Sequence, residues 1–391
     1  MADLEVADLI RDYGDALAAR WGGGLPEHVA RVFRALALCR TAELGGHLCV
    51  CSGCGREHPR YNSCRNRHCP KCQGADRARW VEARVEDVLP VPYMHGVMTV
   101  PAELRPVFRW APRALYALLF RSAWAALRDL AADPGHLGAT IGALMVLHTW
   151  GGLLQLHPHV HCVIPAGGLD QNGRWIGTGD RFFLRVHALA AAFRNRFLSG
   201  LEGLVRRHEI VLPPDLAESP SLYSTWLAGL QAKRWKVHVK PPFDGPVQVL
   251  RYLSRYTHRV AISNQRLISL DGDTVLFRYK DSAADATWKT ARLDAVEFLR
   301  RFSQHILPRG FVRIRYYGLL SNRRRRETVA AIREQFGVVD GAAYAVEADV
   351  EKPSHLDRWT CPDCGGRLQI TATVALTGSP ASSLPPGRGP P

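Results

Sequence analysis

Two hydrophobic periods divide the chain. Apolar and polar residues trade places at every second position in "YMHGVMTVP" (93–101), where Met94, Gly96, Met98 and Val100 alternate with His95, Val97 and Thr99. Successive strand side chains point to opposite faces, so this is a β-strand pattern. "IGALMVLHTW" (141–150) and "HVHCVIPA" (159–166) read as two more strands. "KRWKVHVKPP" (233–242) reads as a fourth, basic on one face. "RLISLDGDTVLFRYKD" (266–281) is a hairpin, because Asp271-Gly272-Asp273 supplies the aspartate–glycine turn that tight hairpins favour. Elsewhere the period is helical. Helices are expected over 8–44 with a break at "GGGLPEHV", in the charged "ADRARWVEARVEDVLP" ending at Pro90, and over 112–133, 187–208, 246–260 and 294–306. A proline-rich connection covers 213–221, and "ALTGSPASSLPPGRGPP" has the composition of a disordered tail.

Helices mixed irregularly with hairpins predict an α+β fold, an antiparallel sheet with flanking helices behind a small helical, metal-binding segment. The expected division is an N-terminal helical and zinc-binding domain 1–90, a sheet domain 91–326, a C-terminal extension 327–372 and a disordered tail 373–391. No internal repeat is visible.

Composition adds a partner. The 391 residues are 47% hydrophobic and 22% charged, enough for a sizeable core, and the net charge is +15. Such a surplus attracts polyanions, nucleic acid first and anionic membrane surface second. No apolar run reaches the roughly 18 residues of a spanning helix. The acidic start, Met-Ala-Asp-Leu-Glu, is unlike a signal peptide. A cytoplasmic, nucleoid-associated protein with no membrane partner is therefore expected, and there disulfides are rare.

The ten cysteines then need another use, and seven of them lie between Cys39 and Cys72. Cys51/Cys54 and Cys69/Cys72 are two CxxC pairs separated by 14 residues. Two such knuckles can complete one tetrahedral zinc site, so these four are expected to converge. Cys39, His47, Cys64 and His68 form a candidate second zinc set, with Cys49 as a substitute member, or else Cys39 simply ends an apolar helix. Cys361 and Cys364, in "CPDCGG", make one more knuckle, either half a site or a plain turn.

"HTWGGLLQLHPHVHCVIPAGG" (148–168) carries the candidate chemistry. His159 and His161 share a strand face and can bind one divalent ion. Pro158 cannot donate to a ladder, so regular pairing is expected to begin after it, with 150–157 as loop. That puts His148 opposite His159 and gives a three-histidine set of His148, His159 and His161, with His157 as rival third ligand. Three nitrogens with open positions suit Mn²⁺, Mg²⁺ or Zn²⁺. The alternative is a pair of strand histidines satisfied by backbone or solvent.

In "GPVQVLRYLSRYTHRVAIS", Tyr252 and Tyr256 are four apart on one helix face, with Arg251, Arg255 and Arg259 as a second row. Arginine forks suit phosphate, although Val249, Leu253 and Val260 would also make both tyrosines core residues. Nine arginines and no acid occur from Arg300 to Arg326. Arg313, Arg315, Arg323, Arg324, Arg325 and Arg326, with Tyr316 and Tyr317, read as a track for single-stranded DNA.

The run of "YNSCRNRHCPKCQ", "HPHVHCVIPAGG", "RYLSRYTHRVAISNQRL" and "RIRYYGLLSNRRRR" resembles the IS91 family of rolling-circle transposases, and the likeness extends to about residue 326. These belong to the HUH (histidine–hydrophobic–histidine) single-strand endonucleases. The resemblance implies that the sheet domain is an HUH nuclease and that His159 and His161 hold the divalent ion, Mg²⁺ or Mn²⁺. It implies that Tyr252 and Tyr256 are the paired nucleophiles, forming a 5′-phosphotyrosine link during strand transfer between element ends and target. Structural zinc and single-stranded DNA are the implied ligands. With no GxxxxGK[ST] motif, unwinding falls to host helicase and replication proteins. A replication initiator or relaxase would share this site, and a non-catalytic zinc-ribbon DNA-binding regulator is the competing class. Oligomeric state has no signature in the sequence.

Overall fold

In a computed structural model the chain is described over residues 4–22, 24–73, 80, 83–84, 87–178, 185–243, 261–281, 287–338 and 359–375. In chain order the helices and strands are α1 (Val6–Arg20), α2 (Glu27–Ala37), β1 (Gly46–Cys51), β2 (Glu57–Tyr61), β3 (Tyr93–Thr99), α3 (Arg105–Trp110), α4 (Pro112–Ala132), β4 (Gly142–Trp150), β5 (Leu156–Pro165), β6 (Gly167–Leu169), β7 (Trp175–Gly177), α5 (Val186–Arg206), α6 (Pro214–Ala217), α7 (Pro220–Ala232), β8 (Lys236–Phe243), β9 (Leu267–Asp271), β10 (Thr274–Asp281), β11 (Thr287–Asp294), α8 (Ala295–Ser303), β12 (Ile314–Gly318), α9 (Arg325–Gln335) and β13 (Leu368–Val374). The fold is α+β. Its centre is a five-stranded antiparallel sheet in the order β12-β4-β5-β3-β8.

The period-two pattern gives this sheet two different faces. Met94 and Met98 of β3, Ala143, Met145 and Leu147 of β4, and Val160, Cys162 and Ile164 of β5 join the largest core. The long helices α4 and α5 cover that face, contributing Leu115, Leu119, Ala123, Phe193 and Phe197. Both helices carry apolar residues at three- and four-residue spacing, and α4 begins on Pro112, whose missing N–H costs nothing in a first turn. The opposite face is apolar at one end only. There Tyr93, Leu144, Val146 and Val163 pack with Val329 and Ile332 of α9.

A second core joins the N-terminal helices to the later part of the chain. Leu9, Leu17, Phe33 and Leu36 pack with Val275, Phe277, Phe298 and Phe302. Asp294 starts α8 by accepting the Glu297 N–H at 2.9 Å. The expected hairpin forms around Gly272, whose φ of +54° suits the turn. Gly318 ends β12 at φ +58°, and a Cβ there would lie 2.0 Å from the Ile141 carbonyl oxygen.

Two expectations need adjustment. The β5 strand begins at Leu156, ahead of Pro158, because a bulge between His148 and Trp150 lets Trp150 pair with Leu156. Pro158 keeps its place by accepting, not donating, its carbonyl taking the Val100 N–H at 3.4 Å. The tail expected from 373 loses Thr373 and Val374 to β13, which pairs with β1. The expected helix 246–260 and the tail beyond 375 lie outside the described residues, as does most of the expected helix before Pro90.

Candidate functional site

The ladder between β4 and β5 sets the histidine geometry. His148 pairs directly with His159, and Val146 with His161. Paired residues share a face, so His148, His159 and His161 converge on the face that α4 and α5 leave uncovered. One nitrogen from each lies within 4.8 Å of the others. The rings of His148 and His161 are 4.4 Å apart, centre to centre, and those of His159 and His161 5.0 Å. His148 and His161 are buried and His159 is half-buried, so the cluster meets solvent from one side.

Hydrogen bonds bear on which nitrogen carries each lone pair. His159 Nδ1 lies 2.7 Å from the His157 carbonyl oxygen and must donate to it. That leaves the lone pair on Nε2. His161 Nδ1 lies 2.9 Å from Nε2 of His95 on β3, with the two rings stacked at 5.1 Å. If His161 donates, its own Nε2 keeps the lone pair. Burial first, then Lys240, push the His95 pKa down to about 3, so His95 is neutral and can accept. His95 is the residue that sequence reasoning missed. Its only signal was an imidazole on the polar side of an otherwise apolar strand. His157 shares the neighbourhood, with its ring 5.2 Å from that of His159, but it does not join the three-nitrogen cluster.

The edge of this face is basic. Lys236, His238 and Lys240 of β8 pair with Thr99, Val97 and His95, which puts them on the histidine side, and all three are exposed. The row Lys236, Thr99, His159, His148 therefore crosses four adjacent strands. Lys236 and Lys240 would add positive potential along this edge of the face, two strands from the histidines of β5.

The cysteines correct the expected pairing. Cys51, Cys54, Cys69 and Cys72 do not converge. Cys69 and Cys72 meet Cys39 and Cys64, while Cys51 and Cys54 meet Cys361 and Cys364. The reason is the hairpin between the pairs. After the Cys51/Cys54 knuckle, β2 runs back along β1 until Tyr61 faces Gly46. At about 3.4 Å per residue, a six-residue strand puts Tyr61 roughly 17 Å from Cys51, and the chain goes on to Cys69 and Cys72 from that far end. The expected second set also dissolves. His47 lies on β1 opposite Arg60 and Thr373. His68 accepts the Leu307 N–H on Nε2 at 3.1 Å and pairs its Nδ1 with Asn66. Cys49 is buried beside Leu368 and belongs to neither cluster. Within the first cluster Sγ of Cys72 lies 3.6 Å from Cys39 and 3.7 Å from Cys64. A tetrahedral site with Zn–S near 2.3 Å has sulfurs about 3.8 Å apart, so both clusters fit structural zinc.

The arginine track is divided. Arg323, Arg324 and Arg326 are exposed. Arg325 is tied to Asp87 at 2.8 Å and covers the Tyr316 ring at 4.6 Å. Arg315 lies over Phe120 at 4.4 Å, on the helix side of the sheet. Arg313 is partly buried, and its pKa is pushed down to about 10 by burial and by Arg67. Tyr317 stacks on Trp124 at 5.2 Å, so both tyrosine rings already have protein neighbours. Tyr252, Tyr256, Arg251, Arg255 and Arg259 lie outside the described residues. No helix among the described residues is long and apolar enough to cross a membrane.

Comparison with known proteins agrees with the two halves of this layout. Residues 9–100 match the family described as "Transposase zinc-binding domain", and residues 142–328 match the family described as "Putative transposase". The chain is 42% identical over 387 residues to the "Putative transposase y4qJ" of Sinorhizobium fredii, covering 96% of this chain and 97% of that protein. It is 28% identical over 373 residues to the "Transposase for insertion sequence element IS801" of Pseudomonas savastanoi pv. phaseolicola, covering 90% of this chain and 86% of that protein. No solved structure matches. With a near-full-length relative at this identity and a matching zinc-binding domain, the chain belongs to the IS91 family of insertion-sequence transposases.

Proposed function

We propose that this transposase cuts and rejoins single-stranded DNA at element ends and target, with a divalent ion held by His148, His159 and His161 and with Tyr252 and Tyr256 as nucleophiles. The observation that carries the reading is the histidine cluster itself, three imidazoles on one sheet face, with Nδ1 of His159 engaged by the His157 carbonyl and Nδ1 of His161 by His95. All three donors are imidazole nitrogens on a face that opens to one side, so they would hold a divalent ion, Mg²⁺ or Mn²⁺ by the family resemblance, with positions left for phosphate oxygens. An ion bound there would polarise the scissile phosphate.

The chain's own residues do the rest. A tyrosine Oη attacks phosphorus, the P–O3′ bond breaks, and the departing 3′ oxygen takes up a proton in place of the one the phenol loses. The 5′ end is left as a phosphotyrosine ester. The ester keeps the bond energy, so a new 3′-hydroxyl can reverse the step without ATP. A second tyrosine allows one end to be held while another is cut. Lys236, His238 and Lys240 would guide the strand backbone across β8 toward the histidines. Unwinding would come from host helicase and replication proteins.

The test is covalent trapping. Protein, Mg²⁺ and a single-stranded oligonucleotide carrying the element end should give an SDS-resistant adduct. Tyr252→Phe and Tyr256→Phe should each reduce it and together abolish it. His159→Ala should stop cleavage while DNA binding remains. Cleavage at the normal rate in His159→Ala would remove the metal site from the mechanism, and an adduct surviving both tyrosine changes would remove the nucleophiles.

A further inference from the structure

The sheet β13-β1-β2 has almost no core of its own. Its buried apolar cluster is Cys49, Cys51, Cys361 and Leu368, and β13 is exposed from Gln369 to Thr373. Apolar burial on this scale does not hold a sheet together. Yet β13 pairs with β1 along its whole length and joins segments whose cysteines, Cys51 and Cys364, are 313 residues apart.

At the end of this sheet stand two knuckles with the same construction. The Cys51 N–H donates to the carbonyl five residues on, that of Arg56, at 3.0 Å, and the Cys361 N–H does the same to Gly366 at 2.7 Å. Gly55 donates to Cys51, and Gly365 to Cys361, each at 2.9 Å. Gly55 and Gly365 sit at φ +72° and +73°, a conformation that glycine takes freely. The Ser52 N–H donates to the Arg367 carbonyl at 2.9 Å and clamps one turn to the other.

The sulfurs are arranged for a common ligand. Cys51 and Cys364 are 3.4 Å apart, Cys54 and Cys361 3.8 Å, and all four lie within 4.8 Å of one another. A disulfide would need about 2.05 Å. A tetrahedral zinc thiolate needs about 3.8 Å. Backbone N–H groups of Gly53 and Cys54 point at the Cys51 sulfur at 3.3 and 3.5 Å, and that of Gly366 at the Cys364 sulfur at 3.4 Å. Such donors favour thiolates, and thiolates favour zinc over Mg²⁺ or Mn²⁺. Gly366 approaches so closely that a Cβ would lie 2.9 Å from the Cys51 sulfur. Outside the four sulfurs, His58 Nε2 stands 3.3 Å from Cys361 Sγ, and Arg56 pairs with Asp363 at 3.1 Å, fastening the later knuckle to β2.

We propose that Cys51, Cys54, Cys361 and Cys364 hold a second structural zinc ion, separate from the Cys39/Cys64/Cys69/Cys72 cluster, and that this ion fastens the C-terminal strand to the N-terminal zinc-binding segment. Half of this site lies beyond both matched regions, 9–100 and 142–328. It is independent of the histidine reading.

The full-length protein, purified reduced with zinc, is titrated with a mercurial that releases only thiolate-bound metal. Wild type should release two zinc ions per chain, and Cys361→Ser/Cys364→Ser and Cys69→Ser/Cys72→Ser one each. Hydrogen exchange over 368–374 should rise in the Cys361→Ser/Cys364→Ser protein while that over 142–165 stays unchanged. Release of a single zinc from wild type would overturn the proposal, and so would two from Cys361→Ser/Cys364→Ser. Should that variant fail to fold, the wild-type count decides alone, supported by cobalt substitution. Two equivalents of Co²⁺ should then give thiolate charge-transfer absorption, against one if the clasp binds no metal.

Discussion

Replacing His95 by Phe removes both ring nitrogens, including the one that faces His161, and keeps the ring's shape. The ring that stacks on His161 at 5.1 Å is kept, and the site, only 2% exposed, stays filled. What matters is the nitrogen that, with His161 donating, receives its Nδ1–H across 2.9 Å. In the variant that proton either stays on Nδ1 without its acceptor or moves to Nε2. The first course costs about 1–3 kcal/mol for a buried donor. The second relieves that cost but takes the lone pair away from the cluster. Metal binding must pay one or the other, so affinity should fall about 5- to 150-fold. This overlaps the 10–100-fold usual for partners of metal-bound histidines. Isothermal titration of the full chain with Mn²⁺ measures it, with thermal unfolding of the apoprotein as control. His95→Gln places an amide oxygen near the lost acceptor and should recover most of the affinity. Wild-type Mn²⁺ affinity in His95→Phe would refute the reasoning, as would equal losses in the Phe and Gln variants.

Two further outcomes follow from the fold. Gly318→Ala should destabilise by about 3 kcal/mol or more, because an alanine at φ +58° is strained and its Cβ would meet the Ile141 oxygen and the Trp124 ring; urea unfolding measures it, and a change below about 1 kcal/mol would be the wrong answer. His305 is buried, donates Nε2–H to the Leu154 carbonyl at 2.9 Å and accepts from Thr149, and burial lowers its pKa from 6.5 to about 4. Between those values the unfolded chain takes a proton that the folded chain refuses, so stability is complete above pH 6.5 and falls as the pH drops toward 4. At pH 5 the loss from this group is about 2 kcal/mol. His305→Asn should therefore reduce the difference in unfolding free energy between pH 7 and pH 5 by about that amount, and an unaltered difference would contradict it.

Where local period decides position, the sequence was readable. The strands β3, β4 and β5 follow from alternation, and His148 stands opposite His159 because a short connection forces two neighbouring strands into one register. Nothing local says that β3, rather than another strand, lies on the far side of β5, so the contact from His95 to His161 was hidden. The cysteines show the same boundary. CxxC spacing reveals two knuckles, but which knuckles share a site depends on the β2 hairpin and on a strand near the other end of the chain. Tyr316 and Tyr317 looked like one aromatic patch, but adjacent strand residues face opposite ways, one toward Arg325 and the other toward Trp124.

The first cysteine cluster is mechanically joined to the histidine sheet. Cys64 and Cys69 bracket the turn that presents Arg67 and His68, closed by the Cys69 N–H donating to the Asn66 carbonyl at 2.9 Å. The Arg67 guanidinium donates to the carbonyls of Pro308 and Phe311, and His68 accepts the Leu307 N–H. Residues 307–311 lead directly into β12, which pairs with β4 so that Ile314 faces Val146, two residues from His148. Both nitrogens of His68 are used in this join, Nδ1 toward Asn66 and Nε2 toward Leu307. That is a physical reason for it to stand beside the cysteines without being a ligand. The sequence places zinc knuckle and histidine strand about ninety residues apart, and the fold brings them within one strand of each other. A metal-bound turn that anchors the sheet's outer strand restricts how far β4, and with it His148, can shift against β5.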